Sequence, residues 1–361
     1  MNTSDSFSAS FPEARLKFLT AAENANGKIE RFTHPEKGPE GIDLSTDVAW
    51  FGDSDSPKVF VIISGTHGVE GYCGSGVQID LLRRMELERV PMGTAVMMVH
   101  AINPFGFAWD RRVTEDNVDL NRNWIEFKYP LPQNTDYGDL HELLCPQSWD
   151  EVTQKQSTEA LFSWEAKNGK PAFQQAWSGG QYQHKNGIFF GGTGPTWSRR
   201  TQCELFQSRL SHAHRVAIID IHAGLGPWGF GERIVTSRRG DAVFQRAESW
   251  FGASITSPLN DTSISARVVG DGLSAAAALL PNTEVTAMAL EFGTLSLMEV
   301  LDALRADAWL HTYGKLNSAI GRKIKKQIRN AFYGDTDDWK GMVVGQSLLA
   351  CRQALAGLQS D

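Results

Sequence analysis

The segment SGTHGVEG, residues 64–71, places a histidine and a glutamate three positions apart among glycines, directly after the apolar run KVFVII. Imidazole nitrogen and carboxylate oxygen are ligand types of catalytic zinc sites, which use three protein ligands and keep a fourth position for water. Glycine gives the backbone the freedom that a tight turn requires, so both side chains can point into one cleft. We therefore predict that His67 and Glu70 bind a metal ion.

The third ligand of such a site should come from a distant part of the chain. His222 ends the apolar run VAIIDIH and fits a position at the end of a neighbouring strand. Metal-bound water also needs a general base. Glu291, near the end of the apolar run EVTAMALEFG, is the candidate for that role.

The segment NPFGFAWDRRVTEDNVDLNRNW, residues 103–124, brings Arg111, Arg112, Asn121 and Arg122 close together in sequence. Guanidinium groups bind carboxylates bidentately and stabilise developing oxyanions. A solvated arginine loop is the simpler interpretation, but it fits poorly with DLNRNW, where Asn and Arg alternate with apolar residues. The segment is therefore a candidate substrate-binding site.

Composition excludes several classes of protein. The net charge of −7 and the lack of a strong basic run argue against binding to nucleic acid or to an anionic membrane. No apolar stretch approaches the roughly 20 residues of a membrane helix, and the N-terminal segment has no apolar core of a secretory signal. Four scattered cysteines without a CxxC pair are typical of reduced thiols. These features predict a cytoplasmic protein.

Short apolar runs alternate with amphipathic segments along the chain, which predicts an α/β protein with a largely parallel or mixed sheet covered on both faces. The predicted strands and helices lie in order along the chain: strand 58–64, helix 74–88, strand 94–103, helix 197–212, strand 215–222, strand 284–293 and a helical tail over 297–329. The polar residues 127–187 are interpreted as an insertion in a single catalytic domain that spans 1–361.

HGVE, NPFG, NVDLNRNW, the distant His222 and LEFGT follow one another in an order that resembles the zinc carboxypeptidase family, peptidase family M14. SGTHGVEGYCGSG and DIHAGLGPWG are similar to a bacterial branch of that superfamily, DUF2817. These motifs span residues 58–295. The resemblance implies a three-layer α/β/α sandwich, with a mixed, mostly parallel sheet of about eight strands and one zinc ion.

The resemblance also implies roles for the metal-site residues. His67, Glu70 and His222 would bind the zinc ion, and Asp119, from VDLNRN, would orient His67. Glu291 would be the general base.

For substrate binding, the resemblance assigns the terminal carboxylate to Asn121 and Arg122. Arg112 would stabilise the oxyanion, with Arg111 as the alternative. The implied substrate is a small molecule or short peptide with a free carboxylate.

The chain departs from the family pattern in one respect. No tyrosine lies between His222 and Glu291, where these carboxypeptidases have a mobile tyrosine that closes over the substrate. Ser263, Ser265 or Arg267 could take its place, and the insertion could narrow the cleft and favour small substrates. Ordinary exopeptidase action on long peptides is therefore in doubt.

We predict a zinc-dependent hydrolase of the metallocarboxypeptidase type. An amidohydrolase of N-acyl amino acids, as in the aspartoacylase and succinylglutamate desuccinylase branch, is the main alternative. A catalytically inactive metal-binding descendant is the non-enzyme alternative. A nucleotide site at GLGPWG, residues 224–229, is disfavoured because no clear helix follows, and GYCGSG does not form the GxSxG pattern of serine hydrolases.

Overall fold

Apolar runs form the centre of one eight-stranded sheet in the computed structural model, which describes residues 2–360. The strands are β1 (Lys28–Lys37), β2 (Asp43–Phe51), β3 (Lys58–Ser64), β4 (Thr94–His100), β5 (Arg215–Trp228), β6 (Gly231–Ile234), β7 (Ile255–Thr256) and β8 (Glu284–Gly293). Their spatial order is β1-β2-β4-β3-β5-β8-β6-β7. The strands β4, β3, β5 and β8 are parallel, and β1 and β2 pair antiparallel with their neighbours. Strand β6 pairs antiparallel with β8 and parallel with β7. The predicted mixed, mostly parallel sheet is confirmed.

Helices cover both faces of this sheet within the described part of the chain. They are α1 (Phe11–Asn24), α2 (Gly71–Arg83), α3 (Pro104–Ala108), α4 (Thr135–Leu144), α5 (Glu151–Asn168), α6 (Lys170–Ser178), α7 (Trp197–Leu210), α8 (Ala242–Phe251), α9 (Gly272–Leu279), α10 (Leu297–Thr312), α11 (Ala319–Phe332) and α12 (Asp337–Gly357). Alternate residues of β3 enter two different cores, Phe60 and Ile62 on one face and Val59 and Val61 on the other. This alternation produces the predicted three layers.

The structure changes several predicted bounds. The predicted helix 74–88 begins at Gly71 and ends at Arg83, and the predicted strand 94–103 ends at His100. The strand predicted over 215–222 continues to Trp228. The predicted helical tail over 297–329 is two helices, because the chain leaves α10 at Tyr313 and the side chain of Ser318 caps the start of α11.

Residues 127–187 contain α4, α5 and α6 and pack on one side of the molecule. Their buried residues Tyr137, Leu140 and Trp177 share one apolar cluster with Leu301 of α10 and Phe332 of α11. The segment thus has no apolar core separate from that of the helices beside it. Its interpretation as an insertion in a single domain stays a prediction, which this shared core favours.

All four cysteines have free thiols. Among residues 2–360, no helix combines the length and apolar character needed to cross a bilayer.

Candidate metal centre

The turn after β3 carries His67 and Glu70. Gly65 has φ +70°, and the single 3-10 turn Gly68–Glu70 then leads directly into α2. At Gly68 a Cβ atom would lie 2.0 Å from the carbonyl carbon of Gly106, so only glycine fits against α3. This tight turn brings Nδ1 of His67 to 2.8 Å from Oε1 of Glu70.

His222 reaches the same point from β5. Strands β3 and β5 are parallel neighbours in which Ser64 pairs with Ile221, so both strands end at the same edge of the sheet. Nδ1 of His222 lies 2.9 Å from Oε2 of Glu70 and 3.2 Å from Nδ1 of His67. The structure therefore brings together the three residues predicted as metal ligands.

The donor set of this cluster fits a divalent metal ion. One ligand atom from each of His67, Glu70 and His222 lies within 4.8 Å of the others, and all three residues are buried. Two imidazole nitrogens and one carboxylate oxygen are a known three-ligand set for catalytic zinc.

The electrostatics of the cluster also favour a cation. Burial acts to raise the pKa of Glu70, but the charges and hydrogen bonds of His67 and His222 outweigh it and hold that pKa below its usual range. Burial acts to lower the pKa of His222, but Asp220 and Glu70 raise it well above its usual value. A bound cation can take the place of the proton that these carboxylates favour on His222.

The far nitrogen of each histidine faces a carboxylate. Nε2 of His67 lies 2.9 Å from Nη2 of Arg112 and 3.4 Å from Oδ1 of Asp119. Nε2 of His222 lies 3.0 Å from Oδ2 of Asp220, as an ion pair without the geometry of a hydrogen bond. Such carboxylates set the tautomer and ring orientation of metal-binding histidines. Asp119 was predicted for this position, whereas Asp220 was missed. The two-residue period of a strand, which puts Asp220 and His222 on one face, was the available signal.

Arg112 lies at the centre, and Arg111 does not. Nη1 of Arg112 donates to Oε1 of Glu70 at 3.1 Å, and its Nε donates to Asp119 at 2.9 Å. Nε of Arg111 instead donates to the buried Asp307 at 3.0 Å, and its Nη2 donates to Asn117. Arg111 was predicted to bind substrate, and to be the alternative to Arg112 for stabilising the oxyanion. The structure does not bring it to the cavity, because the buried carboxylate of Asp307 on α10 holds its guanidinium.

Glu291 lies beside the histidines because β5 and β8 are parallel and pair His222 with Glu291. Its Oε1 accepts a hydrogen bond from the backbone N–H of Leu225 at 3.1 Å. Oε2 receives no hydrogen bond from residues 2–360. Burial, followed by the charge of Glu70, raises the pKa of Glu291 to about 8.

A cavity of about 110 Å³ connects these groups, and its wall includes Glu291, Arg112, Asn121 and Arg122. Arg122 is buried, and its two Nη atoms donate to the backbone oxygens of Asn121 and Ser178. Its Nε has no partner among the described residues. A buried N–H without an acceptor is costly, and a carboxylate would satisfy it.

Phe189 is a site residue that the sequence analysis missed. Its ring centroid lies 5.0 Å from the guanidinium carbon of Arg112 and 5.2 Å from that of Arg122. Its φ of +53° is unusual for a bulky side chain and is typical of strained functional positions. In sequence it is one apolar residue of GIFFGG, and nothing in the spacing of that segment indicates a role.

The loop in the place of the missing tyrosine contributes Ser265 to the cavity wall. The guanidinium of Arg267 pairs with the exposed Asp261 at 2.7 Å. Of the three predicted candidates, the structure brings Ser265 to the cavity.

The model of the family described as "Protein of unknown function (DUF2817)" matches residues 7–346, so the chain belongs to this family. No curated protein sequence matches the chain.

Similar solved structures include carboxypeptidase A from Helicoverpa armigera, with 13% identity, coverage of 89% of this chain and 73% of that one, and a TM-score of 0.46. A Pseudomonas aeruginosa metallo-carboxypeptidase in complex with (2-guanidinoethylmercapto)succinic acid has 13% identity, coverage of 96% and 69%, and a TM-score of 0.48. An aspartoacylase family protein from Mesorhizobium loti has 13% identity, coverage of 74% and 61%, and a TM-score of 0.38.

Proposed function

We propose that this protein is a zinc-dependent hydrolase that cleaves an amide or peptide bond next to a free carboxylate. His67, Glu70 and His222 would hold one zinc ion, with Asp119 and Asp220 orienting the two imidazoles. One observation carries the proposal: the ligands His67 and His222 share the wall of one cavity with Glu291, whose Oε2 is free, and with the buried guanidinium of Arg122.

The ion, when bound, supplies a water of lowered pKa and a Lewis acid for the scissile carbonyl. Glu291 accepts the proton of the attacking water at Oε2, since its Oε1 is held by Leu225. The same carboxyl then donates that proton to the leaving amine. Arg112, which borders the cavity, stabilises the negative charge that develops on the carbonyl oxygen.

Arg122 and Asn121 hold the carboxylate of the substrate. The guanidinium of Arg122 keeps donors for it, because Nε has no partner among the described residues and each Nη has a second N–H beyond the one donated to a backbone oxygen. A carboxypeptidase and a hydrolase of N-acyl amino acids both need such a group. The non-enzyme alternative, an inactive metal-binding protein, does not need Glu291 with a free oxygen.

Metal analysis followed by a substrate screen tests the proposal. We expect one zinc ion per chain in the wild-type protein and in His212→Ala, whose imidazole is exposed, and loss of the ion in His67→Ala. The screen should include a blocked dipeptide and an N-acyl amino acid. Glu291→Gln should keep the ion and lose at least about 10²-fold in kcat. Full metal content without turnover of any substrate would favour the inactive descendant.

The four free thiols fit a reducing compartment, and we propose that the enzyme works in the cytoplasm.

A further inference from the structure

Two segments outside the sheet complete the wall of the cavity. Helix α6, in the insertion, contributes Gln174, Trp177 and Ser178, and the loop between β7 and α9 contributes Ser265, Ala266 and Val268. The two segments are 90 residues apart in sequence, and they meet at the wall of the cavity.

Three hydrogen bonds join these segments, and we call them the clasp. Nε2 of Gln174 donates to the backbone oxygen of Ile264 at 2.7 Å. The amide of Gln175 makes a pair with the backbone of Arg267, because its Nε2 donates to that oxygen at 2.9 Å and its Oε1 accepts from that N–H at 3.1 Å. Two adjacent glutamines thus hold the loop by its main chain.

The far end of the loop is held beside the substrate-binding residues. The backbone N–H of Trp124 donates to the oxygen of Gly270 at 3.1 Å, and that of Gly272 donates to Oδ1 of Asn121 at 3.1 Å. The loop is therefore attached both to α6 and to the segment that carries Arg122, and it narrows the cavity between them.

The cavity opens to solvent, but the space inside it is small. Its volume is about 110 Å³, whereas an apolar cavity known to bind benzene measures about 150 Å³. The metal-site residues His67, Glu70 and His222 are at most 4% exposed. The narrow space beside them, with the loop held against α6, favours a small substrate over a peptide segment.

Much of the remaining wall is apolar and includes Ile234, Pro258, Val268, Leu273, Ala289 and Val300. These side chains favour small apolar groups on both sides of the scissile bond, since they offer no hydrogen bonds to polar ones.

We infer that the substrate is an N-acyl amino acid with a short acyl chain and a small apolar side chain, and that the clasp excludes polypeptides. This inference rests on the proposed function and specifies its substrate class. A polypeptide could reach the metal site only after the loop separates from α6, which breaks all three hydrogen bonds of the clasp.

The first experiment compares kcat/KM for N-acetyl-alanine with that for a pentapeptide ending in alanine. In the wild-type zinc enzyme we expect a ratio of at least about 10² in favour of the small substrate, a discrimination worth about 2.7 kcal/mol. Gln175→Ala removes two of the three bonds of the clasp and should lower this ratio about tenfold by raising turnover of the pentapeptide.

Gln133→Ala is the matched control, because Gln133 is exposed in the same insertion and hydrogen-bonds Gln183 away from the loop. Its ratio should equal that of the wild type. Equal turnover of the two substrates by the wild type would overturn the inference. An unchanged ratio in Gln175→Ala would overturn the role of the clasp.

A binding measurement separates failure of this inference from failure of the proposed function. Calorimetry with zinc-loaded Glu291→Gln measures the dissociation constant of each ligand. We expect the value for N-acetyl-alanine to be at least about tenfold lower than that for the pentapeptide. Selective binding without turnover in the wild type would leave the size limit standing and refute the hydrolase. Equal or tighter binding of the pentapeptide would refute the size limit, whatever the activity.

Discussion

Nε2 of His222 lies 3.0 Å from Oδ2 of Asp220, two residues earlier on the same face of β5. Asp220 also accepts a hydrogen bond from Oγ1 of Thr66 at 2.9 Å, which fixes its carboxylate against the turn that carries His67. One aspartate therefore connects the two strand ends that supply the metal ligands.

Asp220→Asn should weaken zinc binding about 10–100-fold, because the amide keeps the shape of the carboxylate but not the charge that orients and polarises His222. Zinc affinity measured by competition with a chromogenic chelator tests this prediction. The thermal unfolding of the metal-free variant serves as the control for correct folding. Wild-type affinity in the folded variant would show that Asp220 does not support the metal site.

Arg122 and Arg111 should respond differently to replacement. Arg122→Ala should raise KM for substrates with a free carboxylate more than for their amides, because the cavity loses its unpartnered donor. Steady-state kinetics on matched acid and amide pairs measure this difference. Equal effects on both forms would assign Arg122 a purely structural role.

Arg111→Ala should instead lower the stability of the folded protein, by about 3 kcal/mol, since it breaks a buried ion pair with Asp307. Denaturant unfolding gives the free energy of unfolding for the variant and the wild type. We expect no preference between acid and amide substrates beyond that of the wild type. A loss of activity on the acid substrate that exceeds the loss on the amide would show that Arg111 does bind the substrate carboxylate.

Phe189 should act through the two guanidiniums that its ring contacts. Phe189→Leu keeps an apolar side chain but removes cation–π attraction worth about 0.5–2 kcal/mol. We therefore expect a several-fold rise in KM for the carboxylate substrate, and recovery in Phe189→Tyr, which retains the ring. Thermal unfolding distinguishes this effect from a loss of packing: Phe189→Leu and Phe189→Tyr of equal stability but different KM would support it.

The central strands of the sheet could be predicted from the sequence, whereas the strands β1 and β2 at one edge could not. The bounds predicted for β3 and β8 agree with the structure, because strands buried on both faces are continuous apolar runs. Strand β1 was missed because most of its residues are exposed and polar. Strand β2 was missed because it points the charged Asp47 inward, where Arg15 pairs with it at 2.6 Å.

Within the site, the sequence pattern indicated the residues that lie at strand ends and in tight turns. The three predicted ligands meet because β3 and β5 are parallel neighbours. Phe189 could not be predicted in this way, because its position depends on the path of the insertion and on a φ of +53°. The separation of Arg111 from Arg112 likewise depends on Asp307, which is almost 200 residues away in sequence.

Glu291 makes the stability of the metal-free protein depend on pH. Burial and the charge of Glu70 raise its folded pKa to about 8, whereas an unfolded glutamate titrates near 4.3. Between about pH 4.3 and pH 8, Glu291 is therefore protonated in the folded state and ionised in the unfolded state. The free energy of unfolding therefore falls as the pH rises from about 4.5 to 8, because the unfolded state increasingly gains from releasing the proton of Glu291. This destabilisation is absent below that pH range and complete above it.

Glu291→Gln removes this titration while preserving the shape of the side chain. In the presence of a chelator, the variant should be more stable than the wild type at pH 8.5, by on the order of 1–3 kcal/mol, since one pKa unit corresponds to about 1.4 kcal/mol. At pH 4.5 the two free energies of unfolding should converge. Zinc should reverse the difference at pH 8.5, because a cation beside Glu291 favours its ionised form. Urea unfolding of both proteins at the two pH values, with and without zinc, gives eight free energies of unfolding and thus four differences between the variant and the wild type. Parallel stability curves for the metal-free proteins would contradict a raised pKa at Glu291, and the group that accepts the proton of the attacking water would then need to be sought elsewhere.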